Sequence, residues 1–346
     1  MKIAVFGWYG HDNAGDERIK YCLNHFLMGL GGIDGVDFYD LHDNAIKGAT
    51  SQFDDYDLVI IGGGGLILSQ HNYHEFIHGI GTKLLVAGIS VETDLKGNPL
   101  KFAQALLDKA SLFLVRDKNS YEKLLPLDKK SVLKLSQDLT FLEPFPVVQG
   151  TKNNNILGLN LLPKPKYIKY SFMANRALSF MLGQLSRFGI RDVIPVQDYY
   201  DIVDSLREKY LIQAIPFYTP DQPQNVPDYQ KNDVNFLKKY CEHVPDVFSD
   251  NLFDDCSLLV CMRLHAGIFA VQKAIPFLSF SYLPKNRNFM ALLGLENYAL
   301  EITSDTNIIT AIDSLDKNRD KIRLRMKEFT ESAQQEIQTQ LINFLN

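Results

Sequence analysis

A chain of 346 residues holds about two domains at ~150 residues each and can bury a sizeable core, which excludes a peptide or a disulfide-stapled miniprotein. Hydrophobic residues make up 46% and charged residues 22%, the balance of an ordinary globular protein, so wholesale disorder is ruled out. Lysine and arginine number 36 against 41 aspartates and glutamates, a net charge of −5; with no basic excess to neutralise a phosphate backbone, no nucleic acid is expected as a partner.

From the amino terminus, Lys2–Phe6 is an apolar run too short for a secretory leader. It ends in Gly7, and apolar residues return at helical spacing from Ile19 through Leu23, Phe26, Leu27 and Leu30. The strand-then-helix alternation recurs at Asp57–Ile61 before four glycines, Gly62–Gly65, at Lys83–Ile89, and at Ser111–Val115 running into Arg116 and Asp117. Each strand candidate is continuously apolar, as parallel strands covered on both faces are. A doubly wound α/β domain over residues 1–150 follows. Between Pro144 and Asn155, proline, glycine and three asparagines replace the periodic pattern and mark a boundary. Strand candidates resume at Ile156–Leu161, Asp192–Val196, Val247–Ser249, Leu258–Cys261 and Pro276–Ser281, with helical spacing over Ala177–Phe188 and Asn232–Tyr240. A second α/β domain over residues 151–315 is expected. From Lys321, the residues Ile322, Met326, Phe329, Ala333, Ile337, Leu341 and Phe344 form one stripe of a long amphipathic helix, a closing segment over residues 316–346. No segment reaches the ~18 apolar residues of a membrane span. Cys22, Cys241, Cys256 and Cys261 show neither CxxC nor zinc-like spacing and read as reduced structural thiols.

In open α/β sheets ligands sit outside the carboxyl ends of the strands, so the strand-terminal loops carry the functional reading. The first, Gly7–Glu17, lacks G-x-G-x-x-G spacing, and a dinucleotide fingerprint is not supported. Gly10 and Gly15 let backbone approach a ligand, Asn13 and Asp16 suit a helix start, and Trp8 and Tyr9 resemble a sugar-stacking surface; a capped turn is the plain alternative. In Gly62–Gly65, with Gly63 and Gly64 at its centre, four glycines cost more backbone entropy than a turn requires, favouring a backbone-lined ligand nest. His71, His74 and His78 would share one face of a helix, read as a polar face, and no metal is expected. Arg116 offers a planar fork to a carboxylate or phosphate, while Asp117 could cap the next helix. Richest is Cys261–Gly267: Arg263 and His265, two apart, would be aimed the same way by an extended or turn backbone, and Lys285 ends the next strand. Such a cluster can hold a small polyanion and deliver a proton.

In chain order, GWYGHDNAGDE, DLVIIGGGGLI, FLVRDKNSYEKL, SQDLTF and CMRLHAGIFAVQKAIPFLSFSYLPKNRNFMALLGL resemble the motifs of the polysaccharide pyruvyl transferases over nearly the whole chain. The Arg-Leu-His-Ala block at 263–266 and the Ser-Tyr-x-x-Lys block at 281–285 are the most specific, with Asn-x-Gly-Asp at 13–16 in support. The resemblance implies two Rossmann-like domains facing across a cleft, a B-type glycosyltransferase-like fold with the acceptor on the first domain and the donor on the second. It implies transfer of the enolpyruvyl group of phosphoenolpyruvate, a co-substrate with no further cofactor, onto two hydroxyls of a sugar in a cell-surface or exopolysaccharide precursor, giving a cyclic ketal and phosphate. Donor binding would fall to Arg116, Arg263 and Lys285, catalysis to His265, and acceptor binding or a loop role to Asn13, Gly15, Asp16, Gly63, Gly64 and Asp138. The saccharide acceptor could be lipid-linked, and the protein is expected in the cytoplasm with at most peripheral contact with the inner face of a membrane. One departure is Ala87–Glu92, where many members carry a Gly-x-Gly-x-Gly-Pro-like run.

The chemistry suits the residues independently. A carboxylate and a phosphate on one small frame call for several cations, and protonating the methylene carbon calls for an acid, for which His265 is the histidine in a strand-end cationic cluster. Asp16, Asp138 and Glu92 are all candidates to take the proton of the attacking hydroxyl. The alternatives are a sugar-nucleotide-dependent glycosyltransferase of the same fold and a non-catalytic sugar- or anion-binding protein.

Overall fold

The computed structural model describes residues 1–43, 53, 55–68, 73–147, 155–162, 199–219, 232–281, 283–301 and 307–346. The first half alternates β1 (Lys2–Gly7), α1 (Ala14–Met28), β2 (Gly35–Asp40), β3 (Leu58–Ile67), α2 (His74–Gly79), β4 (Lys83–Val91), α3 (Asn98–Lys109), β5 (Leu112–Val115), α4 (Lys118–Leu124) and β6 (Leu133–Leu135). Its strands form one parallel sheet in the order β2-β1-β3-β4-β5-β6. The second half contributes β7 (Ile156–Asn160), α5 (Tyr200–Arg207), β8 (Leu211–Ala214), α6 (Asp233–Leu237), β9 (Leu258–Cys261), α7 (Leu264–Gln272), β10 (Phe277–Phe280), α8 (Pro284–Leu292), β11 (Ala299–Leu300), α9 (Ile308–Lys317) and α10 (Arg319–Leu345). Its sheet, again parallel, has the order β11-β10-β9-β7-β8.

The parallel order follows from composition. The inner strands are apolar on both faces, and helices on the crossovers cover those faces. One apolar core lies on the far side of the first sheet around Phe6, Phe76, Phe102 and Phe113. The other is continuous from Ile19 and Leu23 through Leu139 and Phe141 to Leu259, Phe269 and Met326, so it joins the two halves. Helix α10 packs on both α7 and the 3-10 turn Leu139–Leu142. Gln334 and Gln338 donate to the Leu142 carbonyl at 3.4 and 2.9 Å.

Several expectations are corrected. Strand β3 runs on through Gly62–Gly65, so these glycines are strand rather than a following loop. Val247–Ser249 is irregular, with Val247 exposed; the strand beside β7 is β8. Helix α9 crosses residue 315, and the long helix begins at Arg319. Ala177–Phe188, Asp192–Val196 and His71 lie outside the described residues. No helix among the described residues is long and apolar enough to cross a membrane.

Candidate active site

Asn13 caps α1, its side chain accepting from the Gly15 amide at 3.1 Å. The residues on either side of this cap are bound to the second half: Ala14 N donates to Phe217 O at 2.8 Å, and Thr219 N to Asp12 O at 3.1 Å. Asp233, buried at the start of α6, holds the other side of this contact by accepting from the Phe217 and Tyr218 amides at 2.9 and 3.2 Å. It also takes the Arg263 fork, Nε at 2.7 Å and Nη2 at 2.5 Å. Arg263 and His265 therefore go to different partners, contrary to the expectation that both aim one way. The cause is local: Arg263 is the extended N-cap of α7, whereas His265 is already in its first helical turn.

That turn carries the His265 ring against α1. A Cβ on Gly15 would lie 1.9 Å from His265 Nδ1, so only glycine at 15 admits the ring. On its other edge, buried Nε2 lies 3.4 Å from Asp138 Oδ2, ion-pairing distance without hydrogen-bond alignment. Asp138 caps the turn at Leu139–Leu142 through the Thr140 amide and hydroxyl, at 3.0 and 2.8 Å, and accepts from Arg116 Nη1 at 2.8 Å. Burial alone would raise the Asp138 carboxyl; His265, Arg116 and the Thr140 amide outweigh it and hold the group well below the usual range.

Arg116 leaves the carboxyl end of β5, and Asp117 caps α4 by accepting from the Ser120 amide at 2.9 Å. The buried guanidinium also donates to Ser90 Oγ at 3.0 Å and lies 3.7 Å from Glu92. Lys285 is in the first turn of α8 rather than at a strand end, and its Nζ lies 3.0 Å from both Glu92 oxygens. Burial would raise the Glu92 carboxyl, but Lys285 and Arg116 hold it below its usual value. Asp16, buried near the same groups, goes the other way: burial raises it, and the nearby His265, Arg116 and Lys285 offset only part of the rise. Among the described residues no hydrogen-bonded cation sits on Asp16.

Arg116, Asp138, Leu264, Ile268 and Lys285 line a cleft of about 610 Å³ between the halves, within the usual range for a small-molecule site. Ser136, directly after β6, lines it as well, and among the described residues its buried hydroxyl has no hydrogen-bond partner. Sequence reasoning gave Ser136 no role; its position after a strand was the available signal. A second concavity of about 490 Å³ around Lys209 and the 316–321 turn carries none of these groups, and its Lys209 and Arg319 are paired with Asp313 and Asp316.

The remaining sequence candidates divide. Gly63 (φ +79°) and Gly64 (φ +86°) sit where a Cβ would strike Ile19 or crowd Asp16 Oδ1, so the glycine run lets α1 and two carboxylates approach; the space expected of an anion nest holds this chain's own side chains. Tyr9 is buried and donates to Gly62 O at 2.6 Å, so it is no exposed sugar platform, whereas partly exposed Trp8 stacks on His11 and lies 5.9 Å from the Tyr218 ring. His74 and His78 share α2, and among the described residues no three His, Cys, Asp or Glu side chains form a metal-binding group. The four cysteines are buried and unpaired; burial pushes the Cys22 and Cys256 thiols up to about 12 and Cys241 to about 11, which makes them poor nucleophiles at neutral pH.

Two parallel α/β halves with Arg116, Asp138 and Lys285 lining the cleft between them define the B-type glycosyltransferase-like fold. Solved structures share it: the UDP-GlcNAc 2-epimerase of Neisseria meningitidis bound to UDP-GlcNAc (11% identity, all of both chains, TM-score 0.54) and S. aureus MnaA with UDP (10% identity, 99% of this chain and 95% of that one, TM-score 0.52). No curated protein matches the sequence. The chain belongs to the polysaccharide pyruvyl transferase family, whose model matches residues 13–284.

Proposed function

We propose that the protein transfers the enolpyruvyl group of phosphoenolpyruvate onto two hydroxyls of a saccharide, forming a pyruvate ketal and releasing phosphate. The observation that carries this reading is His265 Nε2, buried and 3.4 Å from Asp138, which with Arg116 and Lys285 lines the cleft. Arg116 and Lys285 suit the donor's carboxylate and phosphate, each charge-assisted contact contributing roughly 1.5–3 kcal/mol, and the free Ser136 hydroxyl can add a hydrogen bond. His265 gives its proton to the methylene carbon, which becomes the ketal methyl; Asp138 steadies the imidazolium before that transfer. The first sugar hydroxyl adds to the neighbouring carbon, phosphate leaves with its bridging oxygen, and the second hydroxyl closes the ring, its proton passing to the departing phosphate. Of the three candidate bases, Asp138 and Glu92 are held as anions by cations, and Asp16 is the one suited to accept the hydroxyl proton. Arg263, bound to Asp233, supports the site by fixing the contact between residues 12–14 and 217–219.

A second reading, transfer from a sugar nucleotide, draws on the UDP and UDP-GlcNAc bound by the two structural relatives. Thermal-shift titration separates the two, since a ligand stabilises the state it binds. Phosphoenolpyruvate is expected to raise the melting temperature; stabilisation by UDP-sugars with none by phosphoenolpyruvate would favour the second reading.

A further inference from the structure

The cations that suit the donor already hold an anion of the chain's own. Lys285 Nζ is equidistant, at 3.0 Å, from the two oxygens of Glu92, the two-oxygen contact a substrate carboxylate would make. Arg116 Nη2 lies 3.7 Å from the same carboxylate, and Ser90 Oγ donates to it at 3.4 Å. Glu92 directly follows β4 in the first half and Lys285 belongs to α8 in the second, so the pair spans the cleft. Its position is built in by a neighbour on β3, because a Cβ at Gly65 would lie 2.1 Å from Glu92 Oε1 and 2.4 Å from its Cδ. A recess of about 50 Å³ beside the pair, lined by Ser90, Glu92, Lys285 and Asn288, adjoins the larger cleft.

The charges decide between a strut and a placeholder. Arg116 and Lys285 are matched one for one by Asp138 and Glu92. While both pairs stand, Arg116 and Lys285 offer a donor bearing both a carboxylate and a phosphate no unneutralised positive charge. Asp138 is fixed by Arg116 and Thr140 and cannot leave without uncapping its turn. Glu92 is held by side chains that the donor itself can take over, and its side chain is partly exposed.

We propose that Glu92 is a displaceable internal carboxylate that occupies part of the donor's anion site, so that the donor binds by exchanging with Glu92 for Lys285. This rests on the reading of the cleft as a phosphoenolpyruvate site, and it makes Glu92 a determinant of anion affinity rather than a base. It gives a consequence opposite to that of a structural ion pair: removing the Glu92 charge should tighten donor binding.

The test is titration of phosphoenolpyruvate into wild-type protein, Glu92→Gln and Gly65→Ala by calorimetry, with KM and kcat measured on the same proteins. Glu92→Gln removes the competing charge, and Gly65→Ala pushes the intact carboxylate off Lys285 from a different element. Both are expected to lower Kd and KM for phosphoenolpyruvate, Glu92→Gln by roughly tenfold or more, the scale of one charge-assisted contact. Unchanged or weaker binding in both variants, with a wild type that turns over phosphoenolpyruvate, overturns the inference and leaves the function standing. A fall in kcat with KM unchanged would make Glu92 the base and overturns it too. If wild-type protein binds no phosphoenolpyruvate, the functional reading fails; inorganic phosphate then decides the inference, tighter binding by Glu92→Gln supporting it and equal binding overturning it.

Discussion

Three carboxylates lie in the cluster of Arg116, His265 and Lys285, and their surroundings separate their chemistry. Asp138 and Glu92 are stabilised as anions, while burial makes Asp16 reluctant to ionise. His265→Ala is expected to lower turnover by the ~10²–10⁴ of a lost general acid with little change in donor KM, because the proton moves only in the transition state; a matched loss of donor affinity in steady-state kinetics would make His265 an anion holder. For Asp16 the sign is worked out from its raised folded value: such a group adds stability below the ordinary aspartate range and loses it as pH rises through the folded value. At pH 7 it therefore costs stability, and Asp16→Asn should raise the melting temperature by ~2 °C or more while turnover falls ~10²-fold or more. A melting curve and a rate on one preparation check both. Arg116 and His265 were legible because each follows a buried strand, and Lys285 through its motif. The partners were not: Asp233 for Arg263 and Glu92 for Lys285 are set by tertiary packing across the cleft, which no local spacing encodes.

At the scale of elements, the strands read from the sequence and the strands missed differ by their place in the sheet. Among the described residues β1, β3, β4, β5, β7, β9 and β10 were read; β2, β6, β8 and β11, the sheet edges, were not. An inner parallel strand needs apolar residues on both faces, so it stands out as a run. An edge strand is half exposed, as in the mixed burial of Gly35–Asp40, or as short as Leu133–Leu135, and carries no such signature. The opposite error, Val247–Ser249, arose from three residues with no strand partner in the sheet. Junctions between elements also carry function. Gly15 joins the α1 cap to the His265 ring, and Gly15→Ala should displace the imidazole and cost ~10²-fold in turnover, the scale of a ~1 Å misplacement of a catalytic group. Donor affinity should survive; retention of full turnover would mean that the ring need not rest on α1.

For the whole molecule, one apolar core and the 319–345 helix tie the halves together, so the cluster between them should respond to acid as part of a single fold. Asp138 is held below its ordinary range, hence the stability it contributes is present above the unfolded value of ~3.9 and is lost as pH falls through the folded one. The melting temperature should drop more steeply below about pH 4 in wild type than in Asp138→Asn, and parallel curves would assign the acid sensitivity elsewhere. The central claim concerns chemistry rather than stability. Its most direct measurement is phosphate release by purified protein from phosphoenolpyruvate, with and without saccharide acceptors, followed by mass analysis of the saccharide. The expected result is acceptor-dependent phosphate release with one pyruvate ketal gained by the sugar; glycosyl transfer from a sugar nucleotide, with no ketal formed from phosphoenolpyruvate on any acceptor, would contradict it.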